Sequence, residues 1–478
     1  MKSLYFYDLE TSGFNARSDR IMQFGGQRTD MELKPIGEPH NYLIKLSDDL
    51  LPSPDAILVT GITPQKVKAE GLTELEFLKI FHKEISVPDT IFVGFNSIRF
   101  DDEFMRFLNW RNFFDAYEWQ WKDGRGRWDL LDLVRMTRAL RPEGIKWPVD
   151  VDGKAVNRLE MLASLNKLEH SSAHDALSDV QASIALAKLL KTKQPKLFDW
   201  LLQMRDKKRV SALVNAGEPF IYVSGKYQAE YEKTTIAIKI GDHPKKQGAL
   251  VYDLRYDPAE YLSLSPDKLV KLWQYDKDRE GPGLPVKTLL FNRCPAIAPL
   301  AVLDDGSKER LKLNMDQIEK NRQKLVSGKE KLLQALLRAL EIMDKKQQTK
   351  IMENTEFSED QLYDRFVPDN DKKIAQEQIT TGPEHIANIA NKLSDERLKN
   401  LILPYLARNF YKKLDSSQTE AWEDYRTKKL VSAKLNPALY FKRLEELFVI
   451  YSKDKEKKYI LEELKLYAES IMPEQMIS

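Results

Sequence analysis

The chain of 478 residues holds one cysteine, Cys294, and only 6 histidines. A single thiol can form neither an intramolecular disulfide nor a thiolate metal cluster, which suits a reducing compartment. No stretch reaches the ~18 consecutive apolar residues that a membrane span requires, and Met1-Lys2-Ser3 leads into a strand-like run without a signal-peptide core. The chain is therefore expected to be cytoplasmic, with no membrane association. Charge of one sign is also lacking: 75 Lys+Arg stand against 73 Asp+Glu, a net +2. The global balance announces no polyanionic partner, so any nucleic-acid surface must arise from local placement. Fixed-period repeats and low-complexity tracts are absent, which excludes solenoids and linker-like chains. What is present is apolar and aromatic, with 42% hydrophobic residues, 8 Trp, 19 Tyr and 20 Phe. That composition excludes disorder, and the length implies about three domains.

Ser3-Leu4-Tyr5-Phe6-Tyr7, Ile21 to Gly25 and Thr90 to Phe95 read as strands. Apolar residues recur at helical spacing at Phe100, Phe104 and Leu108, from Trp128 to Leu140, and from Asp175 to Leu190. Strands interleaved with helices predict an α/β layered domain over 1–194. Short strands such as Phe220–Gly225 and Thr234–Ile240, broken by Gly and Pro, predict a β-rich domain with a long helix, Asp316–Lys346, over 195–347. Beyond that, helical patterns over Asp395–Tyr411, Ser417–Val431, Pro437–Tyr451 and Tyr459–Ile471 predict a helical domain over 348–478.

Three places carry chemistry. In Tyr7-Asp8-Leu9-Glu10-Thr11 the strand period puts Asp8 and Glu10 on one face, either as a solvated strand end or as oxygen ligands for a hard cation. In Phe100-Asp101-Asp102-Glu103 acids stand where a strand passes into a helix; one of them is expected to cap it, Asp102 being the candidate. In His174-Asp175-Ala176-Leu177-Ser178-Asp179 a histidine precedes an aspartate by five residues at the start of an amphipathic helix.

Together these elements match, in order and spacing, the motifs of the DEDDh 3′→5′ exonucleases. Arg127-Trp128-Asp129-Leu130-Leu131-Asp132, Ala139 to Ile145, Ser172 to Ala176, Pro285-Val286-Lys287, Asn292-Arg293-Cys294-Pro295 and Ala407-Arg408-Asn409-Phe410 extend the match over nearly the whole chain, which resembles the bacterial exonuclease I family. The resemblance implies a ribonuclease-H-like exonuclease domain with a mixed sheet, an SH3-like domain and a helical C-terminal domain. It implies Asp8, Glu10, Asp101, His174 and Asp179 as catalytic, with the four carboxylates holding two Mg²⁺, Mn²⁺ being the alternative, and His174 as general base. Among the interleaved aromatic and basic residues from Arg106 to Trp128, it points to Arg106, Tyr117 and Trp121, with Arg135, Arg158, Glu10 and His174, as contacts to the strand. Leu58 to Pro64 resembles the family's segment beside the terminal nucleotide; on its own it reads as a strand, a turn and a Pro-started helix. Ala229 to Tyr252 and the 308–350 helix show little of the resemblance.

The implied activity is Mg²⁺-dependent 3′→5′ hydrolysis of single-stranded DNA to 5′-mononucleotides, by a monomer, in DNA repair and recombination. A DEDDh exoribonuclease and a non-catalytic single-strand-binding protein are the competing readings. The resemblance also implies one protein partner, the acidic, hydrophobic-ended tail of single-stranded-DNA-binding protein, and this requires a basic rim around an apolar pocket.

Overall fold

The computed structural model describes residues 2–168, 175–274, 276–279, 281–354 and 356–473. The chain forms two compact units, one of Met1–Gly126, Ser171–Gln181 and Thr355–Ser478, the other of Arg127–His170 and Ala182–Asn354.

In the first unit β1 (Ser3–Thr11), β2 (Ile21–Thr29), β3 (His40–Leu43) and β4 (Thr90–Gly94) lie in the order β3-β2-β1-β4. β1 is antiparallel to β2 and parallel to β4, so the sheet is mixed, as expected. β1 is buried on both faces, which explains why it reads as a nearly continuous apolar run. Tyr5, Tyr7, Phe24, Phe77, Phe81, Phe92 and Trp119 form an aromatic core against it. The Pro54–Thr60 segment is a helix, which corrects the strand expected at Leu58-Val59-Thr60. Pro54 opens the helix and Gly61, at φ 68°, closes it. Burial of Ile57 in a cluster with Tyr440, Leu444, Leu461 and Leu464 overrides the β preference of this run. Thr63 then caps the Pro64–Glu70 helix through the Lys66 N–H.

The C-terminal helices, among them Glu396–Phe410, Ser416–Ser432, Pro437–Ile450 and Lys455–Ile471, pack in this same unit. They are tied to the N-terminal residues by a buried ion network. Arg408 bridges Asp49 at 2.6 Å and Glu359 at 2.8 Å, Arg20 holds Glu359 at 2.8 Å, and Lys429 reaches both acids. Burial alone would raise the carboxyls of Asp49 and Glu359, but Arg408, Lys429 and Arg20 outweigh it and hold both well below the ordinary range.

The second unit takes up the chain within β5 (Gly126–Asp129), so Trp128 lies in a strand, and the helix expected from it begins at Leu130 and runs to Leu140. The side chain of Asp129 caps that helix through the Leu131 N–H. β6 (Phe220–Val223), β7 (Thr234–Asp242), β8 (Gly248–Asp253), β9 (Val286–Leu290) and β10 (Ala296–Pro299) form an antiparallel sheet in the order β10-β6-β7-β8-β9. The long helix is Met315–Asn354. It approaches closely where side chains are missing: a Cβ on Gly241 would stand 2.6 Å from Leu333, and one on Gly328 2.6 Å from Leu262.

Arg408→Met leaves Asp49 and Glu359 short of a buried counter-charge and is expected to destabilise the protein by about 3–5 kcal/mol. Because the folded-state pKa values of these acids are depressed, their contribution is present above the unfolded carboxylate pKa of ~4 and disappears as pH falls through the folded values. Urea unfolding at pH 7 and at pH 3 checks both statements: the penalty should be large at the first and shrink at the second.

Candidate active site

Asp8 and Glu10 leave β1 on one face, and β2 sets Gly25 opposite Asp8 and Gln23 opposite Glu10. Both β2 residues serve the neighbouring helix, Ala176–Lys193. A Cβ on Gly25 would lie 2.4 Å from the Ala176 carbonyl carbon, so the absent side chain is what lets the helix start rest on the sheet. Gln23, 4% exposed, clamps that start. Its Nε2 donates to Asp175 Oδ2 and Asn41 Oδ1, each at 2.9 Å, and its Oε1 accepts the Ala176 N–H at 3.2 Å. Asp175 in turn accepts the Ser178 N–H at 3.0 Å. Held this way, the first turn delivers Asp179, and one carboxylate oxygen each from Asp8, Glu10 and Asp179 lie within 4.8 Å of one another.

The second motif approaches from β4. Asn96, at φ 67°, turns the chain after the strand, and Asp101 opens the Asp101–Arg111 helix as a buried residue. Asp102, expected as a helix cap, is instead the second residue of the helix, and it accepts the Tyr7 hydroxyl at 2.6 Å. That bond pins the helix to β1.

The electrostatics record the crowding. Burial raises the Asp8 carboxyl well above its ordinary value, and Asp101, Glu10, Asp179 and Asp175 raise it further. Glu10 is pushed up to about 8, first by burial and then by Asp179 and Asp175. Asp101 acts on Asp8 but is not among the groups acting on Glu10, whereas Asp179 and Asp175 act on both. An all-oxygen donor set that is crowded and partly buried fits a hard divalent cation, which would relieve the repulsion.

His174 lies outside the described residues. Arg106 is buried, paired with Glu103, 4.0 Å from Asp102, and donating to Gln120 at 2.8 Å. Tyr117 and the 63% exposed Trp121 line a cavity of about 590 Å³ together with Tyr363, Arg365, Phe366 and Lys372. Phe366 is 97% exposed. Arg135 and Arg158 belong to the second unit, where Arg135 pairs with Asp132 at 2.6 Å and Arg158 is exposed. Sequence reasoning missed Gln23, Asp175, Tyr363 and Phe366. The last two stand in Tyr363-Asp364-Arg365-Phe366, the same aromatic and basic interleaving that marks Arg106 to Trp128. Gln23 carries no such signal.

A mixed sheet whose first strand presents two carboxylates, with Asp179 at a helix start bringing a third oxygen within reach of both, forms a candidate metal centre. Residues 5–187 match the family described as Exonuclease, 205–340 the Exonuclease I SH3-like domain and 357–471 the Exonuclease I C-terminal domain. Exodeoxyribonuclease I of Escherichia coli K12 is 37% identical over 472 residues, covering 98% of each chain. The zinc-bound crystal structure of the E. coli enzyme with single-stranded DNA superposes with a TM-score of 0.90 at 34% identity, covering 98% of this chain and 99% of that one. A structure of SSB/exonuclease I with the inhibitor CFAM gives 0.89 at 35% identity, covering 99% and 100%. The chain belongs to the exonuclease I family.

Gly25→Val would drive a side chain into the helix start and displace Asp179; nuclease turnover should fall by at least ~10²-fold, the scale reached when a positioned group is misplaced by about 1 Å. Steady-state kinetics alongside a melting curve test this, since wild-type turnover in a folded variant would mean that the close approach does not place Asp179.

Proposed function

We propose that the protein is a Mg²⁺-dependent 3′→5′ exonuclease of single-stranded DNA that releases 5′-mononucleotides, acting as a cytoplasmic monomer in DNA repair and recombination. The carboxylate cluster at the end of β1 carries this reading. Asp8, Glu10, Asp101 and Asp179 would hold two Mg²⁺, which when bound supply charge neutralisation for the attacking and leaving oxygens of a phosphodiester. Asp8 would serve both ions, Glu10 and Asp179 one of them and Asp101 the other. His174 takes the proton of the attacking water, a role suited to an imidazole with a pKa near ~6.5. It directly precedes Asp175 in the chain, the residue that Gln23 holds. Tyr117, Trp121, Tyr363 and Phe366 offer faces on which bases stack regardless of sequence, with Arg365 and Lys372 beside them for phosphates. Arg106, Arg135 and Arg158 complete the strand contacts; the Arg106 guanidinium, which holds Glu103 and Gln120, lies 5.6 Å from the Tyr117 ring.

End-labelled DNA and RNA oligonucleotides, single- and double-stranded, with and without Mg²⁺, test the activity and separate the DNA reading from an RNA one. Asp8→Ala and Asp179→Ala should abolish cleavage while strand binding persists, and His174→Ala should lower turnover by ~10²–10⁴-fold. Trp121→Ala or Phe366→Ala should weaken single-strand binding by about 1–3 kcal/mol. Unchanged affinity in both would remove the aromatic cavity from the strand path.

The metal carries a pH signature. With Glu10 pushed up to about 8 and Asp8 raised as well, the metal-free protein holds protons at neutral pH that a divalent cation must displace. Titration calorimetry in buffers of different ionisation enthalpy should register proton release on Mg²⁺ binding at pH 7, smaller at pH 9 where Glu10 is already ionised.

The protein partner is the acidic tail of single-stranded-DNA-binding protein. In the second unit a cavity of about 500 Å³ is lined by Leu140, Leu197, Trp200 and Val302 with Arg141 and Lys196 beside them. Apolar walls with a cationic rim suit a hydrophobic side chain next to a carboxylate. A fluorescent tail peptide should bind wild type more tightly than a scrambled peptide, and should lose that preference in Lys196→Glu and Trp200→Ala.

A further inference from the structure

Glu103 stands two residues after Asp101 on the Asp101–Arg111 helix, and its carboxylate is divided between two partners. Its Oε2 accepts the Tyr363 hydroxyl, and its Oε1 accepts from Arg106, whose guanidinium lies 5.6 Å from the Tyr117 ring. Tyr363 and Tyr117 both line the aromatic cavity of about 590 Å³. One side chain in the first turn of this helix therefore touches one aromatic of that cavity directly and a second through a cation.

A hydrogen bond between a helix and a distant segment ordinarily serves stability alone. Two features of this one point further. The Tyr363 side chain stays 42% exposed, so a base can reach the ring while the hydroxyl is engaged by Glu103. The other anchors of the segment reach later turns of the helix. Trp110 donates its Nε1–H to the Ser358 carbonyl at 3.0 Å, and Phe107 meets the Tyr363 ring edge-on, with 5.6 Å between centroids. Arg17, 5.8 Å from the Phe107 ring and 5.9 Å from that of Tyr363, donates to the Asp360 carbonyl at 2.6 Å. The Glu103 contact instead acts on the first turn, where Tyr7 also grips Asp102 and where Asp101 begins the helix.

We propose that Tyr363 is a positioning residue for the cleavage step: its ring seats a base of the strand, and its hydroxyl, through Glu103, fixes that base at a set distance from Asp101. The scissile phosphate then arrives in register with the ion assigned to Asp101. The proposal rests on the exonuclease reading and names, within it, the contact that couples strand seating to the carboxylate cluster. Register governs rate more than affinity. A reacting group misplaced by about 1 Å loses ~10²-fold in rate, whereas affinity is spread over several stacked bases and phosphates.

The test uses the full chain and separates the hydroxyl from the ring. Tyr363→Phe keeps the stacking face and loses the tie, so its Kd for fluorescent dT20 in EDTA should stay within about twofold of wild type. Its kcat in Mg²⁺ should fall by ~10- to 10²-fold. Glu103→Ala should lower kcat by a similar factor, and adding Tyr363→Phe to it should lower kcat little further, because the two residues act through one contact. Glu103→Gln, whose Oε1 can accept from Arg106 and whose amide can donate to the Tyr363 hydroxyl, should recover most of the loss seen in Glu103→Ala. Melting curves confirm that each variant is folded, and Tyr363→Phe decides the matter if Glu103→Ala is not. A folded Tyr363→Phe with wild-type kcat overturns the proposal. So does one that loses affinity with kcat unchanged, since the hydroxyl would then contact the strand itself, and so do independent, multiplicative losses in the double variant. A wild type that degrades no single-stranded DNA overturns the exonuclease reading and the proposal with it, whereas the other failures all occur beside an active wild type.

Discussion

Like charges gathered at the end of one buried strand are the constraint on which the first unit is built. Asp8 is raised by burial and by four other acids, and Glu10 is raised with it. Such a cluster disfavours folding until a cation arrives, so the surroundings must hold each acid against repulsion. They do so with hydrogen bonds at each helix start. Tyr7 grips Asp102 for the helix of Asp101, and Gln23 grips Asp175 and the Ala176 N–H for the helix of Asp179. The aromatic core around Phe24, Phe92 and Trp119 keeps β1, β2 and β4 from yielding in turn.

The C-terminal helices extend that support. Arg20 lies just past the turn that follows β1, and its pairing with Glu359 places the chain after Glu10 under the control of residues more than three hundred positions away. Removing either sign from this network would leave a buried charge unmatched, which makes the network a registration device as much as a source of stability. The same unit brings Tyr363 and Phe366 to the cavity of Tyr117 and Trp121. A long-range ion network and an aromatic surface therefore share one scaffold.

The net charge of +2 conceals how the charge is distributed. In the second unit the cavity of Arg141 and Lys196 has an apolar lining, whereas that of Lys207, Lys208 and Lys246 is edged by lysines without acidic partners among the described residues. Local imbalance of this kind attracts polyanions through a short-range field that the overall sum does not report.

The sequence alone determined the chemistry of the first site to the extent that periodicity reaches. Alternation in β1 puts Asp8 and Glu10 on one face, and the acids at 101 and 179 stand at recognisable helix starts. The α/β, β-rich and helical stretches were legible for the same reason, since each is a local pattern. Where local preference misled, packing had overruled it: Leu58-Val59-Thr60 looks like a strand, but neighbouring Ile57 is buried against C-terminal helices in a helix of its own. Asp102 looked like a cap because helix starts favour acids, yet it is spent on Tyr7. Only the tertiary structure could reveal Gln23, Asp49 or Glu359, because a glutamine in a strand and an acid in a loop carry no periodic signal. Their roles depend on partners that are close in space and far apart in the chain, and such pairings arise only when the backbone has folded.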